Sequence, residues 1–175
     1  AGLSLSENDI QVFLDRRKPG QSRFATPRKE DDNVEILSGV FEGLTTGAPI
    51  SLMVRNADQH SKDYSNIASV FRPGHADYTF DTKYGIRDYR GGGRSSGRET
   101  LSRVAAGAIA MKILDSLGIK IEAKASSIGP VVLENGMNEE AVKYIEECKA
   151  RLDSVGGSIE CKVNGMPIGI GDPVF

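Results

Sequence analysis

Tryptophan is absent from this 175-residue chain, cysteine and histidine occur twice each, and neither sign of charge dominates. Cys148 and Cys161 are too few and too far apart for a disulfide framework, and a reduced, intracellular setting fits them best. Both fall on apolar positions of expected elements, so both read as buried thiols. The two histidines, His60 and His75, have no second histidine or thiol at ligand spacing, and no metal site is expected. A net charge of -2 and a pI near 5.8 exclude the basic excess typical of proteins that coat polyanions, so the arginines matter only where they are concentrated. No apolar run approaches the roughly 20 residues a membrane span needs, and no charged-then-apolar leader opens the chain. The expectation is a soluble, cytoplasmic protein with no membrane and no nucleic-acid partner. An initiating methionine is also missing, and Ala1-Gly2-Leu3 reads like the interior of something longer.

What the chain has is a local concentration of arginine, glycine and serine. Arg90-Gly91-Gly92-Gly93-Arg94-Ser95-Ser96-Gly97-Arg98-Glu99-Thr100 runs straight into an alanine-rich helix. Successive glycines let the backbone approach a ligand closely, and the helix start turns unpaired N–H groups and partial positive charge toward the loop. Guanidinium forks and hydroxyls complete a place suited to phosphate or carboxylate. A second basic cluster, Arg16, Arg17, Lys18, Arg23, Arg28 and Lys29, lies in a Pro- and Gly-broken segment with no acid among them, followed at once by Glu30, Asp31 and Asp32, which either neutralise part of the arm or lead into the next strand. A third site of interest is Phe71-Arg72-Pro73-Gly74-His75-Ala76-Asp77, where the Pro-Gly turn presents His75 at a bend between Arg72 and Asp77. His60 sits among polar residues and reads as solvated.

These segments hang on ordinary elements. A first helix spans about 6–17, with Ser4 and Glu7 at capping-box spacing and Ile10, Phe13 and Leu14 as its apolar stripe. Residues 34–39 and 49–54 read as strands joined through a glycine-bounded turn. The stretch 55–90 has little helical or strand period, and its aromatics argue against disorder. A helix over 98–117, closed by Gly118, has small residues on every face, which predicts a central, buried position. Alternation of Ile119, Ile121, Ala123 and Ala125 predicts a strand. Asn138 caps a helix with the stripe Ala141, Ile145, Cys148 and Leu152, and Ile159, Cys161 and Val163 alternate in a last strand. There is no internal repeat and no low-complexity tract.

Arg16 to Arg23, Ser38-Gly39-Val40-Phe41-Glu42-Gly43, Phe71 to Tyr78, and above all Gly91 to Thr100 leading to Arg103-Val104-Ala105-Ala106-Gly107-Ala108-Ile109 closely resemble the chorismate synthase family, colinearly from end to end. The resemblance implies an α+β fold, antiparallel sheets packed around central helices, with residues 1–175 as the N-terminal portion of a truncated domain. It implies a lyase of the shikimate pathway, in aromatic amino acid biosynthesis. That enzyme converts 5-enolpyruvylshikimate 3-phosphate to chorismate by an anti 1,4-elimination of phosphate and a proton, and it requires reduced FMN without net redox change. NADPH is the possible source of flavin reduction, and family members assemble as homotetramers.

Carried over by position, Arg17, Arg23, Arg72 and Arg98 match substrate- or nucleotide-binding arginines, Arg94, Ser95 and Ser96 match a flavin-contacting segment, and His75 matches one of two catalytic histidines. Gly97 stands where many members have alanine. The Gly-Glu-Ser-His-Gly motif with the other histidine is absent, as are the later flavin-binding residues and an Arg-Ser-Asp motif, so this chain by itself is expected to be inactive. The alternative reading, an RNA-binding module using the Arg/Gly-rich segment, is opposed by the acidic balance.

Overall fold

The computed structural model describes residues 1–21, 23–24, 30–56, 68–91 and 93–171. The chain divides into two compact units, Ala1–Ala110 and Met111–Phe175. Every strand pairing among the described residues is antiparallel, and strands and helices are mixed along the chain, an α+β arrangement.

In the first unit the helix α1 occupies Glu7–Arg17. Its cap is Ser6 with Asp9, not Ser4 with Glu7. The Ser6 N–H donates to the Asp9 carboxylate at 2.8 Å and the Ser6 hydroxyl donates to the same oxygen at 2.9 Å. Ser4 is unavailable because the preceding segment is already committed to the sheet: Ser4 bridges Leu44, and Leu5 N–H reaches the Gly43 carbonyl at 2.9 Å. Glu7 is used elsewhere, accepting from Ile36 N–H at 3.3 Å.

Two short sheets follow. β1 (Val34–Ser38) pairs with β4 (Ser51–Val54), and between them β2 (Val40–Phe41) and β3 (Leu44–Thr45) form a nested hairpin. Glu42 and Gly43, at φ 47° and 76°, make the two-residue turn whose twist suits a hairpin. Gly39 has φ 84°, and a Cβ there would lie 2.8 Å from Ile50 Cα and from the Pro49 carbonyl oxygen, both backbone atoms. Gly39→Ala is therefore expected to cost about 2–3 kcal/mol. The urea midpoint should fall while the m value stays unchanged.

The stretch expected to lack regular structure contains a helix, α2 (Asp77–Tyr84). It escapes the pattern because its only buried residue is Asp77, so no apolar stripe marks it. The longer α3 (Thr100–Ser116) follows two 3₁₀ turns, Gly93–Ser95 and Gly97–Glu99. Its expected burial all round is not observed. Ala105 and Ala108 are buried and Leu101 and Val104 pack beside them, whereas Ala106, Ala110 and Ile113 are exposed. Only one stripe of the helix meets the core of this unit, formed with Leu5, Ile10, Leu14 and Val34. The core thus ties together the end of α1, the start of β1 and the start of α3. Those three places carry Arg17, Asp32 and Arg98.

In the second unit α3 closes as expected on Gly118. Its N–H bonds the Asp115 carbonyl, and Ile119 N–H bonds the Leu114 carbonyl, both at 3.0 Å. β5 (Lys120–Ile128) lies between β6 (Val131–Val132) and β7 (Gly157–Asn164). Asn138 caps α4 (Glu139–Ala150), its side-chain oxygen accepting from Ala141 N–H at 2.8 Å. Val131, Leu133 and Ala141 form a small core against Ala125, Ile128 and Tyr144.

Two expectations fail here, each for its own reason. β7 alternates as read, but Ile159, Cys161 and Val163 are exposed, because the packed cluster covers only the Ala125–Ile128 end of the sheet. Cys161 is therefore not a buried thiol, while Cys148 is. Leu152 is not part of the α4 stripe: the helix has ended, and at φ 58° the residue stands in solvent.

Candidate functional site

α1 delivers Arg17 in its last turn, where a basic residue faces the carbonyl end of the helix. Opposite it, Gln11 fastens α1 to the approach to β1. Its amide nitrogen lies 3.4 Å from the Asp31 and Asp32 carbonyls, and its oxygen accepts from Val34 N–H at 3.0 Å. Asp32 is held there with φ 49° and a fully buried carboxylate. Arg17 Nη1 donates to Asp32 Oδ2 at 2.8 Å, and Arg98 Nη2 stands 2.9 Å from Oδ1. The second contact is an ion pair without hydrogen-bond alignment, so Oδ1 accepts no hydrogen bond among the described residues, and the buried Arg17 Nε likewise has no partner among them. Arg98 also bonds the buried Glu30 carboxylate through Nη1 and reaches the Arg55 carbonyl at 3.3 Å. Two cations and two buried anions from distant parts of the sequence thus form one cluster.

The glycine loop sits beside it. Gly91 and Gly93 have φ 142° and 49°, conformations that L side chains rarely adopt, so the glycines are needed for the path of the loop. Ser96 caps the second 3₁₀ turn, accepting from Arg98 N–H at 3.2 Å, which aims the Arg98 backbone. A cavity of about 500 Å³ opens here, lined by Arg90, Gly91, Gly93, Ser96, Arg98 and Ser102 among others. Two acids also line it, and both are engaged: Asp88 accepts from Arg90 N–H, and Glu99 pairs with Arg103, each at 3.0 Å. A second cavity of about 550 Å³ shares Asp88, Arg90 and Gly93 and is otherwise lined by Phe80, Ile86, Arg87 and Tyr89.

The histidine loop is organised by Asp77. Arg72 grips it with Nε on Oδ2 and Nη2 on Oδ1, its own N–H adds a third bond to Oδ2, and Arg87 Nη1 adds a fourth, all at 3.0 Å. Arg87 then reaches the Ala68 and Val70 carbonyls at 2.8 and 2.7 Å and lies over the Phe71 ring. The Arg72 hydrogen bonds, reinforced by the charge of Arg87, hold the Asp77 carboxyl well below the usual carboxylate range despite its burial. His75 rides on this frame, exposed, with Nδ1 2.8 Å from the Pro73 carbonyl oxygen. A carbonyl only accepts, so Nδ1 carries the proton and Nε2 is the ring nitrogen left to exchange one.

Arg17 and Arg98 meet on Asp32, and Arg98 and Ser96 share a cavity. Arg72 belongs to the Asp77 frame, and Arg87, from that frame, lines the second cavity. Arg23 is exposed, its guanidinium 5.0 Å from the Phe24 ring centre, and Ser95 is half-buried in the first 3₁₀ turn. His75 lines neither cavity. The Arg94 side chain, and Arg28, Lys29, His60 and Gly92, lie outside the described residues. Sequence reasoning passed over Arg87; it offered the acids after the basic arm as neutralising part of that arm, which Asp32 does for Arg17, but not as partners of Arg98. The acids directly after the basic arm were the available signal, but a solvated acidic run reads the same way.

Residues 1–175 match the sequence profile of the family described as chorismate synthase. The chain is similar to chorismate synthases of Agathobacter rectalis and Lachnospira eligens, at 59% and 61% identity over 193 residues, covering 100% of this chain and 53% of each relative. A crystal structure of a chorismate synthase matches with a TM-score of 0.70 and 31% identity, covering 95% of this chain and 52% of that one. The chain spans about half the length of the curated relatives it matches.

Proposed function

The chain belongs to the chorismate synthase family, and on that premise we propose that it is the N-terminal portion of a lyase forming chorismate from 5-enolpyruvylshikimate 3-phosphate. The reaction breaks one C–H bond and the C–O bond to phosphate. The C–H electron pair forms a new ring double bond, the ring double bond already present shifts by one position to the carbon losing oxygen, the C–O pair leaves on phosphate, and the proton is taken up by a base. No electrons are gained or lost overall.

The observation that carries this reading is the arginine- and serine-lined cavity on the glycine loop, backed by the Arg17–Asp32–Arg98 cluster. A substrate with two carboxylates and a phosphate needs several forked cations in one place, and phosphate loss develops negative charge that preorganised donors stabilise. Arg98 and Arg17 grip substrate anions, with Arg23 and Arg72 as further binding arginines. His75 moves a proton at Nε2.

For FMN, the family resemblance gives Arg94, Ser95 and Ser96 as holders, of which Ser96 lines the first cavity, and the aromatic and aliphatic second cavity offers a wall for a flat ring. Reduced flavin, when bound, supplies an electron-rich, proton-accepting ring beside the substrate. The complete protein is a cytoplasmic homotetramer whose flavin is kept reduced with NADPH as the possible donor.

The test is anaerobic: the complete protein and the 175-residue chain are each given the phosphorylated substrate and reduced FMN, and phosphate and chorismate are followed. The complete protein is expected to release both in equal amounts and the short chain neither. Silence of the complete protein would overturn the activity, and turnover by the short chain would overturn its dependence on the remainder.

A further inference from the structure

Glu30 and Asp32 are buried acids in direct contact with two arginines of the candidate site, and the proposed reaction gives them no chemical task. We infer that they are positioning residues, which hold the Arg17 and Arg98 guanidiniums side by side with Arg98 presented to the anion cavity. The inference rests on the reading of that cavity as the substrate site.

Three observations carry it. The Asp32 side chain is completely buried and that of Glu30 nearly so, at 0% and 5% exposure, whereas Arg17 and Arg98 keep 21% and 24%. The acids therefore lie behind the arginines, and what remains accessible is cationic. Each Asp32 oxygen faces a different arginine, Oδ2 toward Arg17 and Oδ1 toward Arg98, so a single carboxylate sets the spacing of the two. Finally, Asp32 occupies a left-handed backbone conformation that Gln11 secures from α1, so the carboxylate is placed by the fold and does not swing in to fill an empty site. A carboxylate that merely stood in for substrate would be expected on a free side chain at the mouth of the cavity.

The competing role, an internal acid that occupies the arginines until substrate displaces it, predicts the opposite sign. In the complete protein, Asp32→Asn and Glu30→Gln are each expected to raise the substrate KM by about 10-fold or more with a much smaller change in kcat. Inorganic phosphate, titrated calorimetrically without flavin or turnover, should bind correspondingly more weakly. An unchanged or lowered KM, or phosphate binding equal to or tighter than that of the parent, in a folded variant would overturn the inference. Should Asp32→Asn fail to fold, Glu30→Gln decides, since it leaves the Arg17–Asp32 pair intact. Should the complete protein form no chorismate, the functional reading fails, and the phosphate titration still judges the positioning of the arginines.

Discussion

Asp77→Asn is expected to loosen the segment from Ala68 to Arg87 by about 3 kcal/mol, the lower part of the range for removing one partner from a buried ion pair. The carboxylate accepts four hydrogen bonds from Arg72 and Arg87, and Arg87 in turn holds the Ala68 and Val70 carbonyls of the incoming turn. Asparagine keeps one acceptor but brings no charge, leaving two guanidiniums facing each other across a site built for an anion. The loss is local, so amide exchange is the measurement: protection across residues 68–87 should fall by about 100-fold. The pH dependence has a definite sign. A carboxyl whose folded value lies below its ordinary 3.8 stabilises the fold fully above that value and loses its contribution as the pH falls through the folded value. The parent segment should keep its extra protection from neutral pH down to about 4 and lose it only in stronger acid, where the variant has nothing comparable to lose. Equal protection in the two proteins at pH 7 would remove Asp77 as the organiser of the loop.

That network also marks where sequence reasoning stops. The Arg72–Asp77 contact spans five residues around a Pro-Gly bend, and its members are visible in the motif. Arg87 is ten residues further on, past a helix that buries no apolar residue, and nothing local announces that it returns to the same carboxylate. Asp32 is harder still, because its partners lie at positions 17 and 98 and its role depends on a left-handed backbone that no acidic run specifies. Features decided within one turn were legible: the Asn138 cap, the Gly118 stop, and the glycines whose φ values shape the loop before α3. Burial was less so, since alternation identifies the two faces of β7 but not whether anything covers them. The apolar face carrying Ile159 and Val163 is correctly drawn and exposed. The same limit explains α3, where small residues permit close packing all round and the first unit uses one stripe.

His75→Ala in the complete protein is expected to lower kcat by about 10²–10⁴-fold, the usual worth of a positioned general acid or base, with a far smaller effect on KM. The split follows from what the side chain touches. His75 is exposed, pairs with no carboxylate among the described contacts, and spends Nδ1 on the Pro73 carbonyl, so the grip on substrate anions falls to the arginines and the imidazole contributes through Nε2. Exposure also means that alanine opens no cavity, and the variant should melt within a few degrees of the parent. Arg98→Lys makes the opposite comparison: a point charge replaces a fork held by Glu30 and Asp32, so the loss should fall mainly on KM. A His75→Ala enzyme with parental kcat and a raised KM would assign the histidine to binding. The proton would then have to pass through a group outside this loop.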